Sequence, residues 1–126
     1  MELQKTRGGG ADMGTPAVER RRGPRHPIQQ RCLVRPPGSA LPDAWRCIAF
    51  NISASGIGLT LPLPLGPGTV LDIEPCDRPG ARPVRARVAH TRRLEFLWLA
   101  GCELVRPLSA AELHAWLVGT PVTRSE

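Results

Sequence analysis

Proline and glycine interrupt this chain so often that long helices are excluded. Among its 126 residues there are 14 prolines and 13 glycines, about a fifth of the total. Proline fixes φ and removes a backbone donor, and glycine weakens the interior of helices and strands. The segments between these residues are short, which favours a fold built mainly from β-strands. At this length we expect one small domain.

Six short segments have the apolar and β-branched composition of partly buried strands. The predicted strands span residues 30–35, 44–50, 57–61, 70–74, 84–90 and 97–104. Gly101 lies inside the last of them and predicts a bulge or bend. A helix follows, because Ser109 and Glu112 form a capping box ahead of an apolar stripe that ends at Gly119. This order predicts an all-β fold, a small antiparallel barrel or sandwich with one C-terminal helix over one end.

Positive charge is concentrated near the N-terminus. The chain has a net charge of +6, of which +5 falls in residues 1–35. Residues 1–18 contain a glycine triplet and few large apolar side chains. We therefore expect a flexible tail there, then a domain over residues 19–118 and a short tail over residues 119–126. All 17 basic residues except Lys5 are arginine, whose planar fork suits phosphates and guanine edges.

The cysteine and histidine positions argue against several classes of protein. The four cysteines contain no CxxC pair and have no histidine at zinc-ligand spacing, which predicts neither a metal site nor a disulfide framework. We expect a reducing, cytoplasmic location without membrane insertion, since no apolar run approaches the ~20 residues of a membrane helix. His26, His90 and His114 belong to no catalytic motif. We therefore expect no catalytic residue, no cofactor and no enzymatic activity.

Two polar elements remain, and together they suggest a ligand. Arg21 and Arg25 stand in the proline-containing segment ERRRGPRHP. Asn51, Ser53 and Gly56 lie in NISASG, between two predicted strands. Arginine forks bind phosphates or guanine O6 and N7, and an asparagine amide can engage a guanine edge. Each element also has an ordinary explanation: a solvated basic tail for the arginines and a tight hairpin turn for NISASG.

In this order the two elements resemble the PilZ domain family, whose signature is RxxxR before the first barrel strand and [D/N]xSxxG further along. Arg21 and Arg25 match the first motif, and Asn51, Ser53 and Gly56 match the second. The resemblance covers about residues 19–118, and LGPGTVLDIE and LAGCELV are similar to later segments of the family. It implies a six-stranded antiparallel β-barrel that binds the bacterial second messenger cyclic di-GMP.

The resemblance also implies a role for each matching residue. Arg21 and Arg25 would clamp phosphates and guanine edges, with Arg20 and Arg22 adding contacts. Asn51 and Ser53 would make polar contacts on the other side of the ligand, and Gly56 would form the turn. We expect the arginine arm to be mobile without ligand and to fold onto the barrel near Asn51 when ligand binds.

The partners expected for such a chain follow from its size. With no output domain beside residues 19–118, the chain would act as a stand-alone receptor or adaptor. Its signal would pass to an unidentified effector protein or to a second copy of the chain.

A basic nucleic-acid-binding barrel is one alternative to this receptor, favoured by a pI of about 10.4. The strand faces lack interleaved aromatic and basic residues, which argues against nucleic acid as a partner. A structural adaptor that does not sense ligand is the other alternative, and the intact pair of motifs argues against it.

Overall fold

The computed structural model describes residues 23–38 and 44–118, which form six antiparallel strands and one helix. The strands are β1 (His26–Arg35), β2 (Trp45–Ile52), β3 (Gly56–Leu61), β4 (Val70–Pro75), β5 (Val84–Leu94) and β6 (Leu97–Leu104), followed by helix α1 (Ala110–Val118). They pair in the order β1–β2–β3–β6–β5–β4, and β4 pairs with β1, so the sheet closes into a barrel. The predicted all-β fold with a C-terminal helix is confirmed. The tails expected over residues 1–18 and 119–126 lie outside the described residues.

The barrel encloses one core because each strand is apolar on one face. Side chains alternate across a strand, so every second residue of β3 points inward, and Ile57, Leu59 and Leu61 are fully buried. The other strands contribute inward residues in the same way: Cys32, Val34, Cys47, Ala49, Leu71, Ile73, Ala86, Val88, Ala100, Cys102 and Leu104. The outward positions of β5 hold Arg85 and Arg87, as the alternation predicts.

The structure differs most from the sequence prediction at two strand ends and one bulge, and the other strand bounds differ by at most two residues. β1 begins at His26 rather than Gln30, and β5 continues to Leu94 rather than ending at His90. The β5–β6 hairpin turns at Glu95, which adopts a left-handed φ of 55° without the glycine or asparagine that usually signals such a turn. The bulge expected at Gly101 lies instead in the opposite strand, where the β5–β6 register shifts between Val88 and His90.

Helix α1 begins at the predicted capping box. The Ser109 N–H donates to Glu112 Oε1 at 2.8 Å, and the Glu112 N–H donates to Ser109 Oγ at 3.1 Å. The helix packs on the barrel core through Trp116, which is 1% exposed and whose indole N–H donates to the Arg82 carbonyl at 3.2 Å. Within residues 23–38 and 44–118, no helix combines the length and the hydropathy needed to cross a bilayer.

Candidate functional site

The turn between β2 and β3 is built around the hydroxyl group of Ser53. Ser53 Oγ accepts the Gly56 N–H at 3.0 Å and the Ser55 N–H at 3.3 Å, and the Ser53 N–H donates to the Gly56 carbonyl at 2.9 Å. Serine suits this position because its short hydroxyl can replace a backbone acceptor in a turn. Ser53 is 1% exposed. The buried Ser53 side chain therefore stabilises the conformation of the turn.

Arg25, the last residue of the RxxxR motif, lies just before β1 and contacts the residues of this turn. Its exposed guanidinium Nη1 donates to Asn51 Oδ1 at 3.0 Å. The β1–β2 register, with Pro27 opposite Asn51, sets this approach. A Cβ atom on Gly56 would lie 3.0 Å from Arg25 Nη2 and 3.1 Å from the Cys102 carbonyl oxygen. The lack of a side chain at Gly56 therefore lets the guanidinium lie close to the start of β3.

The remaining arginines of the predicted clamp are not part of the described structure. Arg20, Arg21 and Arg22 lie outside the described residues, as does most of the arm expected to fold onto the barrel. Arg25, Asn51, Ser53 and Gly56 are the predicted site residues that can be located. All four meet at the end of β2 and the start of β3.

Two glycines on adjacent strands leave part of the outer barrel surface without side chains. Gly58 of β3 pairs with Gly101 of β6. Their neighbours along each strand, including Ile57 and Cys102, are buried in the core, so both glycines face outward. Glycine inside a strand often marks a place where a ligand or another group comes close to the backbone. Here neighbouring side chains come close to the main chain, because Gly58 is buried and Gly101 is half-buried.

Bulges in the flanking strands direct side chains over this glycine pair. Ala49 pairs with Leu59 and Asn51 with Gly58, so Phe50 is an extra residue on β2. A Cβ on Gly58 would lie 2.7 Å from Phe50 Cζ and 2.8 Å from Asn51 Oδ1.

On the other side of the glycine pair, the extra residue of β5 is Ala89, and His90 pairs with Gly101. A Cβ on Gly101 would lie 2.5 Å from His90 Cε1 and Nε2. Side chains from β2 and from β5 therefore cover the two glycines from opposite edges.

These features enclose an open pocket of about 380 Å³ on the outside of the barrel. It is lined by Arg25, Phe50, Asn51, Gly58, His90, Arg92, Leu99, Ala100 and Gly101. Two guanidinium groups, one amide and two aromatic rings thus line the pocket together with the backbone of the two glycines. Such a set can bind phosphate oxygens, hydrogen-bond a base edge and contact the face of a planar ring.

The core of the barrel holds neutral thiols. Burial raises the pKa of Cys102 to about 12, although the nearby positive charge of Arg25 opposes the shift. Burial likewise raises the pKa of Cys32 to about 12 and that of Cys47 to about 11. These thiols stay protonated at neutral pH, so they are poor nucleophiles. Among the described residues, no cluster of three histidine, cysteine, aspartate or glutamate side chains could hold a metal ion.

Of the nine residues that line this pocket, the sequence predicted Arg25 and Asn51 and missed the other seven: Phe50, Gly58, His90, Arg92, Leu99, Ala100 and Gly101. Gly58 and Gly101 carried the usable signal, because each interrupts an otherwise apolar strand. His90 and Phe50 carried none, since their positions depend on bulges set by pairing between distant segments.

Comparisons with known proteins bear on the family and the fold of the chain. A family model described as PilZ domain matches residues 19–118. No curated protein matches the chain in sequence. Among solved structures, the Bacillus subtilis inhibitor of motility MotI/DgrA is similar with a TM-score of 0.55 and 17% sequence identity. The similarity covers 72% of this chain and 45% of that protein, so this chain spans less than half the length of MotI/DgrA.

Proposed function

The chain belongs to the PilZ domain family, and from that premise we propose that it binds cyclic di-GMP and relays the signal to a partner protein. Domains of this family are binding or adaptor domains rather than enzymes. The observation that carries the proposal is the 3.0 Å hydrogen bond from Arg25 to Asn51. It joins the two sequence motifs at the edge of an outward-facing pocket, although 26 positions separate the two residues.

The chemistry of the pocket matches the parts of this ligand. Cyclic di-GMP contains two phosphates and two guanines. The guanidinium groups of Arg25 and Arg92 suit the phosphates, and Arg21 would add a further fork from the arm. Asn51 Oδ1 accepts a hydrogen bond from Arg25, which leaves the amide NH₂ to donate to guanine O6 or N7.

The rings and the glycines suit the faces of a guanine base. The rings of Phe50 and His90 lie over the backbone of Gly58 and Gly101. Because neither glycine has a Cβ, the two rings can lie close to the backbone, and aromatic rings there offer stacking surface to a planar base. We propose no catalytic residue and no cofactor for this site.

Calorimetric titration of the purified protein tests the proposal directly. We expect saturable binding of cyclic di-GMP and much weaker binding of GTP, cyclic di-AMP and single-stranded DNA. Equal affinity for GTP or cyclic di-AMP would contradict a selective receptor. Single-stranded DNA that displaces cyclic di-GMP would favour the nucleic-acid-binding alternative, and no binding at all would favour the structural adaptor.

The cysteines support a cytoplasmic location as part of the same proposal. All four are free thiols, and three of them are buried in the core. Free thiols persist in reducing compartments, whereas secreted proteins usually oxidise them.

A further inference from the structure

A second concavity, with a volume of about 710 Å³, lies between β4, β5 and the segment that leads into α1. Three exposed arginines line it, Arg82, Arg85 and Arg106, together with the apolar side chains of Val84, Val105 and Leu108. We call this concavity the arginine groove. None of these residues lines the pocket beside Asn51.

The acidic residues of the arginine groove already have hydrogen-bonding partners. Both carboxylate oxygens of Asp72 accept from Arg85, at 2.7 Å from Nε and 3.3 Å from Nη2. Glu112 accepts the Ser109 N–H, and this bond holds the pKa of the Glu112 carboxyl below its usual range. Both carboxylates are therefore satisfied within the chain.

Two guanidinium groups remain open to a partner. The Arg106 side chain is 79% exposed and reaches Glu112 only at 3.9 Å. Arg82 forms no ion pair with any residue in the described part of the chain. Guanidinium groups with unused donors form strong, bidentate hydrogen bonds to carboxylates.

Apolar surface lies next to these charges. Val105 is 49% exposed, although its backbone N–H is fixed by a 2.9 Å hydrogen bond to the Arg85 carbonyl. Val84 and Leu108 are half-buried beside it. Arginine forks around apolar side chains are typical of the residues that contribute most to protein–protein binding.

We propose that the arginine groove binds an acidic segment of a partner protein, in which carboxylates flank an aliphatic side chain. Charge selects this occupant over the two nearest alternatives. Residues 1–22 carry more basic than acidic side chains, and so does the described barrel, which disfavours both the N-terminal segment and a second copy of the chain.

Hydrogen bonds connect the groove to the candidate ligand site. The Leu108 N–H donates to the Ala54 carbonyl and the Leu104 N–H to the Ser55 carbonyl, both at 2.8 Å. Ala54 and Ser55 belong to the turn that Ser53 organises, and Leu108 lines the groove. A ligand that shifts this turn would therefore shift one wall of the groove. This coupling rests on the proposed function, whereas the groove itself does not.

Fluorescence anisotropy with three labelled peptides of equal length tests the groove on the full chain. One peptide alternates leucine and glutamate, one alternates leucine and lysine, and one alternates serine and glutamate. We expect the leucine–glutamate peptide to bind at least about tenfold more tightly than the other two. Equal binding of the serine–glutamate peptide, or displacement of the leucine–glutamate peptide by tripolyphosphate, would overturn the proposal in favour of a general anion site.

Charge reversal locates the binding surface. The double variant Arg82→Glu, Arg106→Glu should lose at least about tenfold in affinity for the leucine–glutamate peptide. The control Arg46→Glu, Arg93→Glu makes the same charge change away from the groove and should retain most of the affinity. If the reversed variant fails to fold, Arg82→Gln, Arg106→Gln provides the same test with a smaller change. Equal losses in the groove variant and the control would contradict the proposal.

Repeating the peptide titration with saturating cyclic di-GMP tests the coupling. We expect the affinity for the leucine–glutamate peptide to change by about fivefold or more, as in typical allosteric proteins. Calorimetry on the same sample shows whether the nucleotide binds. If it binds and the peptide affinity stays constant, the coupling is wrong. If it does not bind, the proposed function fails while the peptide result still decides the groove.

Discussion

Two residues of the same motif act in different ways at the turn between β2 and β3. Asn51 is partly exposed and reaches Arg25, so its amide faces the pocket. Ser53 is buried, and its hydroxyl accepts two backbone N–H groups of the turn. A serine in this motif thus shapes the site without facing solvent. Asparagine supplies the polar contact, and the turn determines where that contact lies.

Arg25→Ala should weaken cyclic di-GMP binding without unfolding the barrel. The exposed guanidinium makes one hydrogen bond to Asn51 and would make charge-assisted bonds to the ligand. Its loss should cost about 1.5–3 kcal/mol of binding, or more than about tenfold in Kd by calorimetry. We expect the same for Arg21→Ala.

Arg31→Ala and Arg35→Ala are the controls for these variants. Both arginines lie on β1, where Arg31 forms an ion pair with Asp77 and Arg35 forms one with Glu74. Both should bind nearly as well as the wild type. Similar losses in all four variants would indicate a diffuse basic field instead of a site.

Gly101→Ala should weaken ligand binding by displacing His90 of β5 from the pocket. The new methyl group would lie 2.5 Å from the His90 ring, which must move away from its present position. We expect weaker binding by about 0.5–1.5 kcal/mol, the size of a typical rotamer penalty, and little change in thermal stability because His90 is exposed. Gly66→Ala is the matched control, since a Cβ there meets nothing within 4 Å. Unchanged ligand affinity in Gly101→Ala would mean that Gly101 is not part of the proposed site.

At the scale of elements, the start of α1 makes stability depend on pH. The hydrogen bond from the Ser109 N–H holds the pKa of Glu112 below its usual value in the folded protein. A lowered folded pKa adds stability above the unfolded pKa of about 4.3, and this stability is lost as pH falls through the folded pKa.

Glu112→Gln keeps a side chain that can still accept the Ser109 N–H but removes the charge. Its free energy of unfolding should be lower than that of the wild type at neutral pH, and the difference should shrink below about pH 4. Urea titrations at several pH values measure it. A difference that persists unchanged in acid would mean that the carboxylate charge contributes nothing.

At the scale of the whole molecule, Trp116 ties α1 to the barrel. Its ring is buried in the core, and its N–H bonds the Arg82 carbonyl next to β5. Trp116→Ala should lower the free energy of unfolding by about 3–5 kcal/mol, measured by chemical denaturation. His114→Ala lies on an exposed position of the same helix and should change stability little. A small effect of Trp116→Ala would mean that the barrel is stable without its helix.

Local patterns determined the elements and their faces. Alternation of apolar and polar residues identified β3 and the first half of β5, because burial of one strand face is a property of consecutive residues. The capping box located the start of α1 for the same reason: Ser109 and Glu112 satisfy the N–H groups of a single helical turn. The motif residues Arg25 and Asn51 were identified from the sequence as candidates for one site.

Only the tertiary structure decided how these parts meet. Gly58 faces Gly101 because β3 pairs with β6 across a long stretch of intervening sequence. The bulges that direct Phe50 and His90 over these glycines arise from registers in two different strand pairs. The arginine groove likewise joins residues of β5 to the segment before α1. Register depends on the closure of the whole barrel, and local sequence cannot encode it because a shift of one residue exchanges the two faces of a strand.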